Sequence, residues 1–174
     1  MNNLLRCIVI GCAALVAGCG PDLSRIKQSC QHVGTLPPIR PEYIGITLPP
    51  NIAPLNFTLL DPGAASMAEI SSDGGPAIVV RGKNGSFQID PAAWKQLLAA
   101  NAGKKLCISV YARDTGGTWR TYAAIENTIA ADPVDRYCTY RILSYQYNYS
   151  SRLRECQRDL TTFNEKVLVN SRNY

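Results

Sequence analysis

The run Lys105–Arg113 constrains the fold more than any other part of this chain. Leu106, Ile108, Val110 and Ala112 fall on one side of an extended strand, and Cys107, Ser109, Tyr111 and Arg113 on the other. A period of two is a strand signal, because successive side chains point to opposite faces of a sheet. Asp114-Thr115-Gly116-Gly117 then supplies turn chemistry, and from Thr118 to Ile125 the residues Trp119, Thr121, Ala123 and Ile125 share a face. Together the two runs predict a hairpin.

Shorter runs of the same kind precede it. Ile44-Gly45-Ile46-Thr47-Leu48 alternates until Pro49-Pro50 breaks it, and Leu55 to Leu60 closes at Asp61-Pro62-Gly63. Met67 to Ser71 and Ala77 to Arg81 flank Asp73-Gly74-Gly75-Pro76, while Lys83-Asn84-Gly85 turns into Ser86 to Ile89. Repeated short strands, separated by turns in which glycine supplies positive φ, predict a mainly β domain over residues 43–131. The expected architecture is an Ig-like antiparallel β-sandwich. One short helix is inserted in it. Asp90 is a good N-cap, Pro91 suits the first helical position, and Gly103 is placed to end the helix. Trp94, Leu97 and Leu98 form one apolar stripe, so Trp94 reads as a core anchor.

The flanks differ in character. Residues 1–18 read as a bacterial lipoprotein signal: Arg6 at the charged start, an apolar run from Cys7 to Ala17, and a small-residue step before Cys19. The apolar run is too short to span a hydrocarbon core of about 30 Å as a helix. Cys19 is then the lipid-bearing N-terminus, and the expected location is the cell envelope, at the outer membrane or periplasmic face. Residues 19–42, with Gly20-Pro21, Leu36-Pro37-Pro38 and Arg40-Pro41, read as an extended tether, with a short helical turn between Ser24 and His32. Asp132-Pro133-Val134-Asp135 marks the other boundary. Residues 132–174 are a Tyr-rich connector followed by strand–turn–strand around Thr162-Phe163-Asn164. Tyr145, Tyr147 and Tyr149 are the candidate contact surface there, either as a packing face awaiting a partner or as platforms for sugars.

Charge and cysteine usage narrow the function. Residues 19–135 hold ten Lys/Arg and ten Asp/Glu, so the net charge of +5 resides mainly in residues 136–174, where seven Lys/Arg face Glu155, Asp159 and Glu165. An exported chain rarely meets nucleic acid, and the excess fits a solvated face or contact with acidic lipid or glycan. Cys7 and Cys12 leave with the leader, while Cys30, Cys107, Cys138 and Cys156 remain in an oxidising compartment. Of the three pairings open to four cysteines, Cys138 with Cys156 is favoured because it closes a short loop. The alternative is that these are small buried hydrophobes.

His32 is the single histidine and sits in the tether. Nucleophilic Ser/His/Asp or Cys/His arrangements therefore lack a base unless that tether folds back. Cys30-Gln31-His32 is only a fragment of a zinc ligand set. Gly74-Gly75 and Gly116-Gly117 lie in turns rather than in a phosphate loop, and Asp61, Asp73 and Asp114 sit at turns for backbone reasons. No catalytic residue, metal or cofactor is expected.

Three stretches resemble bacterial TolB-like, or WD40-like β-propeller, translocation lipoproteins, some of which are labelled cytochrome c biosynthesis protein. The first is Leu48-Pro49-Pro50-Asn51-Ile52-Ala53-Pro54-Leu55-Asn56-Phe57, similar to the start of that family's N-terminal domain. The second is Ile108–Arg113 with Trp119. The third runs from Asp132-Pro133-Val134-Asp135 through Tyr140-Arg141-Ile142-Leu143 to Gln157-Arg158-Asp159-Leu160 and Phe163-Asn164-Glu165. Two departures are Cys156, where the family more often has an aromatic residue, and the Tyr145–Tyr149 region, which replaces a Pro-Gly-Tyr-like turn. The resemblance implies a propeller following the last residues of this chain. Independently, residues 155–174 offer strand pattern but too little sequence to bury both faces, which suits a tail that completes a neighbouring sheet. The expected function is a non-catalytic envelope lipoprotein domain that holds its own propeller or a protein partner at the membrane. The alternative is a lipid-anchored carbohydrate-binding module, with Trp119 and the tyrosines as stacking platforms.

Overall fold

A computed structural model describes residues 22–143 and 153–170. In chain order the elements are α1 (Leu23–Ser29), β1 (Gln31–His32), β2 (Ile39–Arg40), β3 (Thr47–Leu48), β4 (Phe57–Leu59), β5 (Ala65–Ser71), β6 (Ile78–Gly82) and β7 (Ser86–Phe87). They continue with α2 (Pro91–Ala99), β8 (Lys105–Arg113), β9 (Trp119–Thr121), β10 (Ile125–Ile129), β11 (Tyr137–Ile142), β12 (Arg154–Asp159) and β13 (Glu165–Asn170). The fold is mainly β and sandwich-like, as the sequence predicts.

β8 is the spine of a seven-stranded sheet. One edge pairs antiparallel with β5, from Ala65↔Arg113 to Ser71↔Cys107. The other edge takes two strands in succession, β9 against Tyr111–Arg113 and β10 against Lys105–Ile108. The predicted hairpin partner is thus interrupted at Tyr122–Ala124, where the chain leaves one half of β8 and rejoins the other. β6 flanks β5, and the two-residue strands β1 and β3 add parallel to β9 and β10. A smaller antiparallel sheet, β2-β4-β7, lies across the core. Leu106, Ile108, Val110 and Ala112 of the large sheet share that core with Phe57, Leu59 and Phe87 of the small one.

Local chemistry explains how the chain changes sheets. Asn84 and Gly85 both have positive φ, 51° and 81°. Lys83 and Ser86 exchange backbone hydrogen bonds of 2.9 and 3.0 Å across them, giving a tight primed turn that delivers β7 to the small sheet. α2 begins as expected: the Asp90 carboxylate accepts from Ala93 N at 2.8 Å, with Pro91 in the first turn. It ends at Ala99, earlier than Gly103, which instead closes the following turn at φ +79° and donates to Ile129 O at 3.0 Å. Trp94, Leu97 and Leu98 are all buried against the sheets.

Residues 22–42, the described part of the span 19–42 expected as an extended tether, are built into this fold. Ile26 of α1 is buried with Met67 and Tyr111 on the outer face of β5 and β8. Lys27 Nζ meets Glu69 at 2.7 Å, and that partner raises the lysine pKa. Ile39 enters the main core, and Leu60 N donates to Pro38 O at 2.8 Å. Prolines prevent long elements here, and the segment is held by α1, two-residue strands and the buried side chains of Ile26, Pro37 and Ile39. Among the described residues no helix is long and apolar enough to cross a membrane.

Candidate functional site

The distinctive surface is the three-stranded antiparallel sheet β11-β12-β13. Strand–turn–strand around Thr162-Phe163-Asn164 forms as the sequence predicts, and β11 adds to it from Tyr137↔Asp159 to Ile142↔Arg154. The sheet joins the sandwich through backbone and side-chain bonds at one end. Ala53 N donates to Leu160 O at 2.8 Å, and the Asn51 amide grips Val134 by donating to its carbonyl at 2.7 Å and accepting from its N–H at 3.1 Å.

The acidic groups of this sheet are all engaged. Asp159 accepts two bonds from Arg136, at 3.0 and 2.8 Å, and two from Thr161. The guanidinium first, and the Thr161 hydroxyl next, hold its carboxyl at about 2 instead of 3.8. Glu165 accepts from the Tyr140 hydroxyl and, at 2.8 Å, from Arg158, which lowers its pKa and raises that of the tyrosine. Glu155 is paired with Arg141. Arg154 and Lys166 have no ion pair, so the positive excess of the C-terminal segment survives as these two groups among the described residues.

β13 is exposed along almost its whole length. Its middle is Val167-Leu168-Val169, three consecutive apolar residues, with Leu168 46% exposed. Leu168 is the extra residue of a bulge: Cys156 pairs with Val167 and Glu155 with Val169, leaving nothing opposite it. At the turn before the strand Phe163 is 38% exposed and has φ +61°, a left-handed conformation that bulky residues rarely adopt. Sequence reasoning missed both features. The signal was present in the apolar triplet itself, which has no alternation and therefore cannot bury one face and expose the other.

The residues singled out from sequence are distributed as follows. Cys19, Tyr145, Tyr147 and Tyr149 lie outside the described residues. Cys138 and Cys156 are both free, which corrects the expected bridge. Cys138 stands opposite Arg158, and Cys156 opposite Tyr140. They are therefore diagonal neighbours, a geometry that sets Cα atoms roughly 7–8 Å apart, beyond the usual disulfide span of about 5.5–6 Å. Cys156 is buried and Cys138 exposed. The tether does fold back, and it brings exposed His32 into β1 and half-buried Cys30 beside Tyr111 and Trp119. Trp94 is a core residue whose Nε1–H donates to Ile52 O at 3.0 Å. Trp119 is half-buried, with the Arg113 guanidinium 5.8 Å from its ring centre.

Beside the sheet lies a groove of about 680 Å³. The Pro50–Pro54 loop forms one wall, α2 another, and Pro133, Arg136 and Thr161 close it at the root of the C-terminal sheet. No protein-family model matches the chain, and no curated protein or solved structure does either.

Proposed function

We infer that this chain is a non-catalytic lipoprotein domain of the bacterial cell envelope, held by a lipid on Cys19, that positions a protein partner or its own propeller through β11-β12-β13. The observation that carries this reading is β13, a two-face-exposed strand with Val167-Leu168-Val169 at its centre. An edge strand of this composition normally needs covering, because unpaired backbone and apolar side chains invite another chain. Arg154 and Lys166 flank the triplet without ion pairs among the described residues, which suits a partner with an acidic rim. The N-terminal signal pattern and the resemblance to TolB-like lipoproteins support the anchor and the propeller respectively.

Cys19→Ser tests the anchor. Expressed in a bacterial host, the variant is expected in the soluble fraction, whereas the unaltered chain sediments with membranes; a variant that still sediments contradicts the lipid attachment. Leu168→Glu tests the contact surface. It is expected to leave sedimentation unchanged and to abolish photo-crosslinks from a probe placed at Lys166, and retained crosslinks would contradict that assignment.

A further inference from the structure

The groove between the Pro50–Pro54 loop and α2 is independent of the β13 surface. Its volume of about 680 Å³ lies within the roughly 300–1,000 Å³ of sites that enclose small ligands. Its lining is mostly apolar, and Trp94, one of the lining residues, is fixed by its Nε1–H bond to Ile52 O. A fixed lining residue matters because less of the site has to be ordered when a ligand binds.

The polar groups facing the groove define what it can hold. Asn51 uses its amide in both directions on Val134. Thr161 gives both its N–H and its hydroxyl to Asp159. Arg136 is bound to the same carboxylate. Lys95, exposed on α2, is the groove cation without an ion pair among the described residues, whereas the Arg136 charge is already met by Asp159. Among the described residues no carboxylate lines the groove; Asp132 and Asp135 flank Pro133 but are not part of its lining. A sugar or a peptide backbone would bring several donors and acceptors and find few partners, each unmet group costing binding. A ligand with an apolar body and one anionic end matches the mostly apolar wall and the unpaired Lys95 charge.

We propose that this groove binds a single-chain fatty carboxylate, its alkyl chain along Pro50, Ile52 and Pro54 and its carboxylate at Lys95 Nζ. Calorimetric titration of the full chain tests this with decanoate and dodecanoate below their micelle-forming concentrations and with dodecanol below its solubility limit. Saturable binding is expected, about tenfold tighter for dodecanoate than for decanoate because two more methylenes are buried. Dodecanol, lacking the charge, binds about tenfold more weakly than dodecanoate, and Lys95→Glu weakens dodecanoate by at least about tenfold. Ala99→Trp, which fills the groove from an exposed position at the end of α2, abolishes binding. Both variants keep the thermal midpoint of the unaltered chain. Absence of saturation, equal affinity for dodecanol and dodecanoate, or indifference to Lys95→Glu in a folded variant would each overturn the assignment.

Discussion

Asparagine side chains stand in for backbone at several points of this molecule. Asn127 is 2% exposed, and its amide accepts from Ile46 N at 3.0 Å and donates to Tyr43 O at 3.1 Å. It thereby tethers a segment too irregular to pair as a strand. Asn101, fully buried, does the same for Gly74, exchanging bonds of 2.8 and 2.7 Å with its N–H and carbonyl. Asn127→Ala leaves two backbone groups without partners, and a loss of about 1–3 kcal/mol is expected. In urea denaturation the midpoint should fall with the slope unchanged. Phe163 behaves in the opposite sense. Its left-handed backbone at φ +61° costs about 1–2 kcal/mol relative to glycine. Phe163→Gly is therefore expected to raise stability by about 1 kcal/mol, while weakening association through β13. A variant that loses stability would show that the exposed ring contributes more to folding than its backbone strain removes.

The elements that could be read in advance are those long enough to carry a period or marked by a cap. β8 spans nine residues, and its two faces emerge as predicted, Leu106 to Ala112 in the main core and Tyr111 beneath α1. α2 was legible through Asp90 and Pro91, and β5, β6, β12 and β13 through the turns between them. β1, β2, β3 and β7 have two residues each, and no periodicity exists over that length. Their pairing follows from tertiary contacts, such as Val33 N donating to Thr121 O at 2.8 Å. The groove was illegible for the same reason, since it is assembled from a loop, a helix and the root of a distant sheet.

The C-terminal sheet has a pH signature of its own. Because the folded-state pKa of Asp159 lies at about 2, below the ordinary 3.8, its pairing contributes stability above that ordinary value and loses it as pH falls toward 2. Proteolysis within residues 153–170 should therefore accelerate between pH 4 and 2. Asp159→Asn should reduce this acceleration and raise cleavage at neutral pH. An Asp159 carboxyl resonance titrating near 4 would contradict the pairing with Arg136.

At the scale of the whole molecule, two regions answer to different physics. The sandwich around β8 is packed on both faces, by the small sheet and α2 on one and by α1 against Met67 and Tyr111 on the other. The span from Asp22 to Glu42, expected to be a spacer, is part of that packing. Any spacing between the proposed anchor and the folded domain is therefore confined to residues before Asp22. The C-terminal sheet is different: it is attached at one end, and among the described residues nothing covers β13. Hydrogen exchange at residues 165–170, compared between the purified chain and the same chain in envelope membranes, tests this most directly. A marked gain of protection at those amides in membranes, with β8 unchanged, is the predicted result. Equal exchange of residues 165–170 in the two settings would contradict the claim that β13 is where this protein meets its partner.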